Sequence, residues 1–126
     1  MVLVKDLLQR GIPASQAEML GDVLAGISAN GTTQETGTLV TGSLVSVGAA
    51  TAGVNDAITL LPIEMYAQSV LFIRNDDPVD TINVFPAVGG QFNTLALNAS
   101  IAITAGNSRI FFKANTAATP TRWCTT

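Results

Sequence analysis

A chain of 126 residues and 13.0 kDa is the size of one domain, able to bury roughly two-thirds of the surface its unfolded form exposes. Only 12% of its residues are charged, the net charge is −3, and histidine is absent, against an ordinary charged share of about 25%. These counts exclude a phosphate-coating nucleic-acid binder, which needs clustered Lys and Arg, and any machinery built on a histidine base or ligand.

Residues 1–31 read as an N-terminal helical segment of two short helices. Val4, Leu7 and Leu8 share one face at helical spacing, and Gly11 supplies a left-handed stop. Pro13 suits the first turn of the second helix, in which Ala17, Leu20, Leu24 and Ile27 form one apolar stripe. Gly26 and Asn30-Gly31 end it. Helices this short are not stable alone in water, so the stripe packs either on the chain's own sheet or on a partner. Leu20 and Leu24 are therefore candidate interface residues.

From Thr32 to Thr126 the composition turns to Thr, Val, Ile and Ser, and a β domain is predicted. Strands are expected at 38–47, 57–61, 69–74, 81–85, 100–104 and 108–114. Asn55-Asp56, Asn75-Asp76-Asp77-Pro78, Gly89-Gly90 and Ala105-Gly106-Asn107 supply the turns between them. The last of these separates two strands by three residues, the spacing of a hairpin. Short strands with no intervening helices predict a mainly β fold, an antiparallel sandwich or barrel of six to eight strands. No fixed repeat is visible, which argues against a solenoid. Ser69 to Arg74 is apolar on both faces and reads as a central strand.

No charged side chain occurs between Asp80 and Arg109, nor between Glu35 and Asp56. Neither gap is a membrane span, because Gly, Asn, Ser and Thr interrupt both, and Pro86 the longer one, before about 18 apolar residues accumulate. Met1 to Arg10 mixes acid and base with its leucines and lacks a signal-peptide core. So little charge predicts a surface partly covered by partners, although Thr, Ser and Asn also keep a monomer soluble. Phe111 and Phe112 are adjacent, so they point to opposite sides of their strand. One faces the core, and the other meets a second sheet, a neighbouring chain or solvent; both are candidate interface residues.

Chemistry-bearing residues are few. Cys124 is the only cysteine and has no basic neighbour except Arg122, so neither a disulfide framework nor an activated thiol is predicted. Asp76, Asp77 and Asp80 fall in a turn-forming run without calcium-loop spacing. The glycines match no phosphate-binding pattern. The reading is non-enzymatic, with no cofactor and no metal. Tyr66 and Trp123 are the amphipathic aromatics that could stack on a sugar, and they equally serve as core or interface anchors.

The run Ile73-Arg74-Asn75-Asp76, then Ile82-Asn83-Val84-Phe85-Pro86-Ala87, Gly89-Gly90, Asn98, Ala105-Gly106 and Trp123 resembles the C-terminal β module of small bacteriophage virion proteins. Gly11-Ile12-Pro13-Ala14 with a following helix is similar to their head-proximal segments. The resemblance implies a capsid decoration (cement) protein of the virion surface, made in the host cytoplasm. Such a protein forms a homotrimer and bridges subunits of the major capsid protein, with neither nucleic acid nor membrane as partner. The alternatives are the base or anchor of a head or tail fibre, or a receptor- or carbohydrate-binding module.

Overall fold

Period-two burial, the mark of a half-buried strand, dominates the computed structural model, which describes residues 26–66, 68–115 and 120–126. The strands are β1 (Ile27–Ser28), β2 (Thr38–Val40), β3 (Leu44–Ala49), β4 (Ala57–Leu60), β5 (Val70–Asn75), β6 (Ile82–Phe85), β7 (Gln91–Phe92), β8 (Ile101–Ile103), β9 (Ser108–Asn115) and β10 (Arg122–Thr125). One turn of 3-10 helix, Ile63–Met65, follows β4. The mainly β expectation holds, with ten strands among the described residues where six to eight were expected. Leu20, Leu24 and the rest of 1–25 lie outside the described residues.

The strands form two sheets, one ordered β1-β3-β5-β9-β10-β7 and the other β2-β4-β6-β8. Buried residues from both belong to one hydrophobic cluster, including Val40, Val47, Ile58, Leu71, Ile82, Phe92, Phe111 and Trp123. The all-antiparallel expectation is corrected, because five of the eight ladders among the described residues are parallel. From β1 to β6 the chain passes alternately from one sheet to the other, laying β1, β3 and β5 side by side and β2, β4 and β6 likewise. This is a solenoid winding of three coils, contrary to the reading from the absence of repeats. Ile27 lies beside Val47 and Thr38 beside Ile58, each 20 positions on, whereas Leu44 lies beside Phe72, 28 positions on. Coils of unequal length leave no fixed period in the sequence. Antiparallel β8 on β6 and β9 on β5 then close the winding.

Two further local expectations change. Ala105-Gly106-Asn107 is not a hairpin loop: β8 and β9 lie in different sheets, so the turn carries the chain across the core. The expected strand 38–47 breaks at 41–43, where the chain also changes sheet. β4 is buried at all four positions because the segment 31–37 lies over its outer face. There the Thr59 hydroxyl donates to the Gln34 carbonyl at 2.7 Å. A Cβ on Gly37 would come within 2.4 Å of Thr59 Oγ1, so only glycine fits.

Ile27, placed on the helical stripe by its spacing, forms β1 instead, because the β3 ladder is available to it and tertiary pairing overrides local periodicity. Ala29 N–H donates to the Ala49 carbonyl and Asn30 N–H to the Ala57 carbonyl, while the Gly31 carbonyl accepts from Asp56 and Ala57. A chain begun at Thr32 loses all of these and uncovers the buried edge of β3. It is expected to melt on the order of 10 °C below one begun at Gly26. Circular-dichroism melts of the two chains measure the difference, and coincident melts would exclude β1 from the cooperative unit.

Candidate interaction surface

Outward-facing residues of the six-stranded sheet make two apolar rows. Ladder register sets Leu44, Phe72 and Ile110 side by side across β3, β5 and β9. The next row sets Val70, Phe112 and Cys124 across β5, β9 and β10. Adjacent strands lie about 4.8 Å apart, so the rows form one continuous band. Val70 and Phe72 are 37% exposed, Ile110 and Phe112 44%; Leu44 and Cys124 are half-buried.

Polar residues border this band on two sides. Beside Leu44–Phe72–Ile110 runs the row Ser46, Arg74 and Ser108. Arg74 pairs with Asp76, which also accepts from the Ser46 hydroxyl, and a second guanidinium nitrogen reaches the Gly106 carbonyl at 3.3 Å. At the other margin Arg122 donates twice to Gln91 Oε1 at 3.3 Å. An apolar centre inside a polar rim is the anatomy of a protein–protein interface.

Of the predicted interface pair, Phe111 is fully buried, its ring centroid 5.3 Å from that of Phe92. It serves the chain's own core, and Phe112 alone of the two belongs to the surface. Cys124 sits in a paired strand opposite Phe112. Val70, Phe72 and Ile110 were not singled out from sequence, although the signal was present. Ser69 to Arg74 reads as apolar on both faces, and among the described residues no layer covers the second face.

The aspartates serve the turn after β5. Asp77 accepts from the N–H groups of Asp80 at 2.6 Å, Val79 at 2.8 Å and Ala50 at 3.4 Å. The Asp80 and Val79 bonds, with a smaller contribution from Ala50, hold its carboxyl below the usual range against a weaker opposing effect of burial. A depressed folded value contributes stability that is present above the ordinary carboxyl value near 3.9 and is lost as pH falls through the folded one. Asp77→Asn is therefore expected to remove one step from the acid limb of the stability curve. Melting temperatures recorded as the solution is acidified test this, and an unchanged acid limb would contradict it.

Tyr66 and Trp123 both face inward, as an edge-to-face pair with ring centroids 5.6 Å apart. The Tyr66 hydroxyl accepts from Leu61 N–H at 2.9 Å and donates to the Val40 carbonyl. Burial pushes it up to about 12, against the opposing Leu61 bond. These two aromatics thus anchor the core and form no sugar platform. An open hollow of about 340 Å³ between β8 and β9 holds Arg109, whose Nε already donates to the Ala102 carbonyl at 3.1 Å. Among the described residues no three His, Cys, Asp or Glu side chains stand close enough to hold a metal, and no helix is long and apolar enough to cross a membrane.

No protein-family model matches this chain, and no curated protein or solved structure matches it.

Proposed function

We propose that this chain is a non-catalytic structural subunit, its two sheets the layers of a β-sandwich, that decorates a bacteriophage head and bridges shell subunits. The observation that carries this reading is the apolar band of Val70, Phe72, Ile110 and Phe112 on the open sheet face. A chain with so few charges works through contact area, and several copies at one site multiply weak contacts. Multivalency of that kind raises avidity by about 10²–10⁴. The resemblance of the Ile73–Trp123 segment to small virion proteins supplies the shell as partner, with the major capsid protein beneath, and the virion surface as location.

Stripping the protein from purified particles, re-adding it and heating at low and high salt tests this. Decorated particles are expected to release their genome at a higher temperature in both buffers, because apolar contacts are insensitive to the screening that weakens exposed ion pairs. Failure to bind an assembled shell, or protection confined to low salt, would count against it. The wound coils β1 to β6 favour a second reading, the base of a fibre, because parallel coils stack along one direction. Copy number separates the two: hundreds per particle for decoration, about a dozen for a fibre base.

A further inference from the structure

The described residues carry a second apolar surface, of a different shape from the sheet face. Between β6 and β8 the chain forms a loop that leaves Val88 80%, Leu97 55% and Leu95 39% exposed. The loop is fixed by its own hydrogen bonds. Asn98 N–H donates to the Gly90 carbonyl at 3.0 Å, and Asn98 Oδ1 accepts from Gly89 N–H at 2.7 Å. Leu95 N–H donates to the Phe92 carbonyl at 2.9 Å, and the Asn93 side chain exchanges two bonds with the Thr125 backbone. Asn93 and Asn98 adopt positive φ, 48° and 62°, as does Gly89 at 84°. These left-handed residues turn the chain back on itself and hold Val88 and Leu97 beside the bonded Gly89–Asn98 pair. Val88 and Leu97 are thus presented from a pinned scaffold, so docking them costs little ordering.

We infer that the 88–97 loop of one copy docks on the apolar sheet face of the next copy, a head-to-tail contact that closes a ring. This rests on reading that face as an interaction surface, and it names the occupant. Charge permits the match: no charged side chain lies between Asp80 and Arg109, and the arginines at the rim of the band are bonded within their own chain. Area favours it as well. Large side chains carry roughly 150–250 Å² each, so at these exposures band and loop each offer on the order of 300 Å² of apolar surface. An interface of about 1,000 Å² that is a little over half apolar needs about 600 Å². Packing face against face in a two-fold pair would cover the band and leave every loop exposed. Loop on face covers both surfaces of every copy when the heterologous contact closes into a ring.

Sedimentation of the full chain at tens of micromolar, alone and as two variants, tests the inference. The natural chain is expected to sediment as a closed oligomer, a trimer of about three times 13.0 kDa. Leu97→Glu and Phe112→Glu should each be monomeric with unchanged β circular dichroism. Ile110→Glu serves as a second face variant should Phe112→Glu lose that signal. Mixed in equal amounts, the loop variant and the face variant should form a dimer, because the intact loop of one meets the intact face of the other and no further contact remains. A mixture that stays monomeric, or a Leu97→Glu chain that assembles like the natural one while Phe112→Glu does not, would overturn head-to-tail docking and leave the surface reading standing. A natural chain that is monomeric at this concentration would overturn both.

Discussion

Phe111→Ala is expected to cost about 3–5 kcal/mol of folding stability, and Phe112→Ala less than about 1 kcal/mol. The residues are neighbours in β9, and the whole difference comes from the face each occupies. Phe111 has no exposed surface, lies opposite Leu71 in β5 and packs its ring on Phe92. Removing it leaves a cavity between β9 and β7 that the paired strands around it cannot collapse to fill. A domain of this size has a margin of roughly 5–15 kcal/mol, so the loss is a large part of the total. Phe112 is 44% exposed and packs laterally on Val70 and Cys124, which puts its effect on association rather than on folding. Urea unfolding followed by circular dichroism, at a concentration low enough that assembly adds nothing, separates the two. Reversed losses, with Phe112 costing more than Phe111, would mean that β9 is registered one residue away from its place, since a one-residue slip exchanges the two faces of a strand.

The adjacency of these phenylalanines was legible in the sequence, and which of them is buried was not. That choice depends on the ladder partners of β9: β10 follows it in the chain, whereas β5 lies more than thirty positions before it. The same division runs through the fold. Segments 57–61, 69–74, 81–85, 100–104 and 108–114 carry strand composition and turn boundaries of their own, and each holds a strand. β1 and β7 are two residues long and exist only through their partners β3 and β10, so no local pattern marks them. Strand direction was lost for a related reason. A short polar link between two strands reads as a reversal, whereas the bend at 105–107 passes the chain across the core into the opposite sheet.

The candidate surface was legible in the same partial way. Its chemistry shows in the sequence as Val70-x-Phe72 and Ile110-x-Phe112, two apolar pairs at strand spacing next to buried Leu71, Ile73 and Phe111. A run apolar on both faces ordinarily belongs to a strand covered on both sides. Among the described residues only one side is covered, and nothing in the strand itself says what the other side meets. Its position beside Leu44 and Cys124 depends on the sheet order, which brings residues more than fifty positions apart into one row.

Asn75 makes one of the polar contacts that join the two sheets, and substituting it is expected to have the second large effect. The side chain is fully buried at the end of β5. Its Nδ2 donates to the Ile103 carbonyl of β8, in the other sheet, at 3.0 Å and to the Asp80 carbonyl at 2.8 Å, and its Oδ1 accepts from Asp77 N–H at 3.0 Å. The bond to Ile103 is buried and the other two are partly buried. Asn75→Ala strands two carbonyls and one N–H at about 1–3 kcal/mol for each group that water cannot reach, so a loss of roughly 2–5 kcal/mol is expected. Asn75→Asp keeps the acceptor and sets a carboxyl against the two carbonyl oxygens. Burial and those oxygens both disfavour its charged form and raise its folded pKa above the ordinary value near 3.9. Below that ordinary value the acid is neutral in both states and can still donate one bond. As pH rises from there to the raised folded value, the unfolded chain releases a proton that the folded chain retains, and stability falls. Above the folded value the deficit is constant. Urea unfolding of the natural chain and both variants between about pH 3 and 8 should show an Asp deficit that grows with pH beside an Ala deficit that does not. An Asp deficit independent of pH would mean that the side chain reaches water and that β5 and β8 are held together without it.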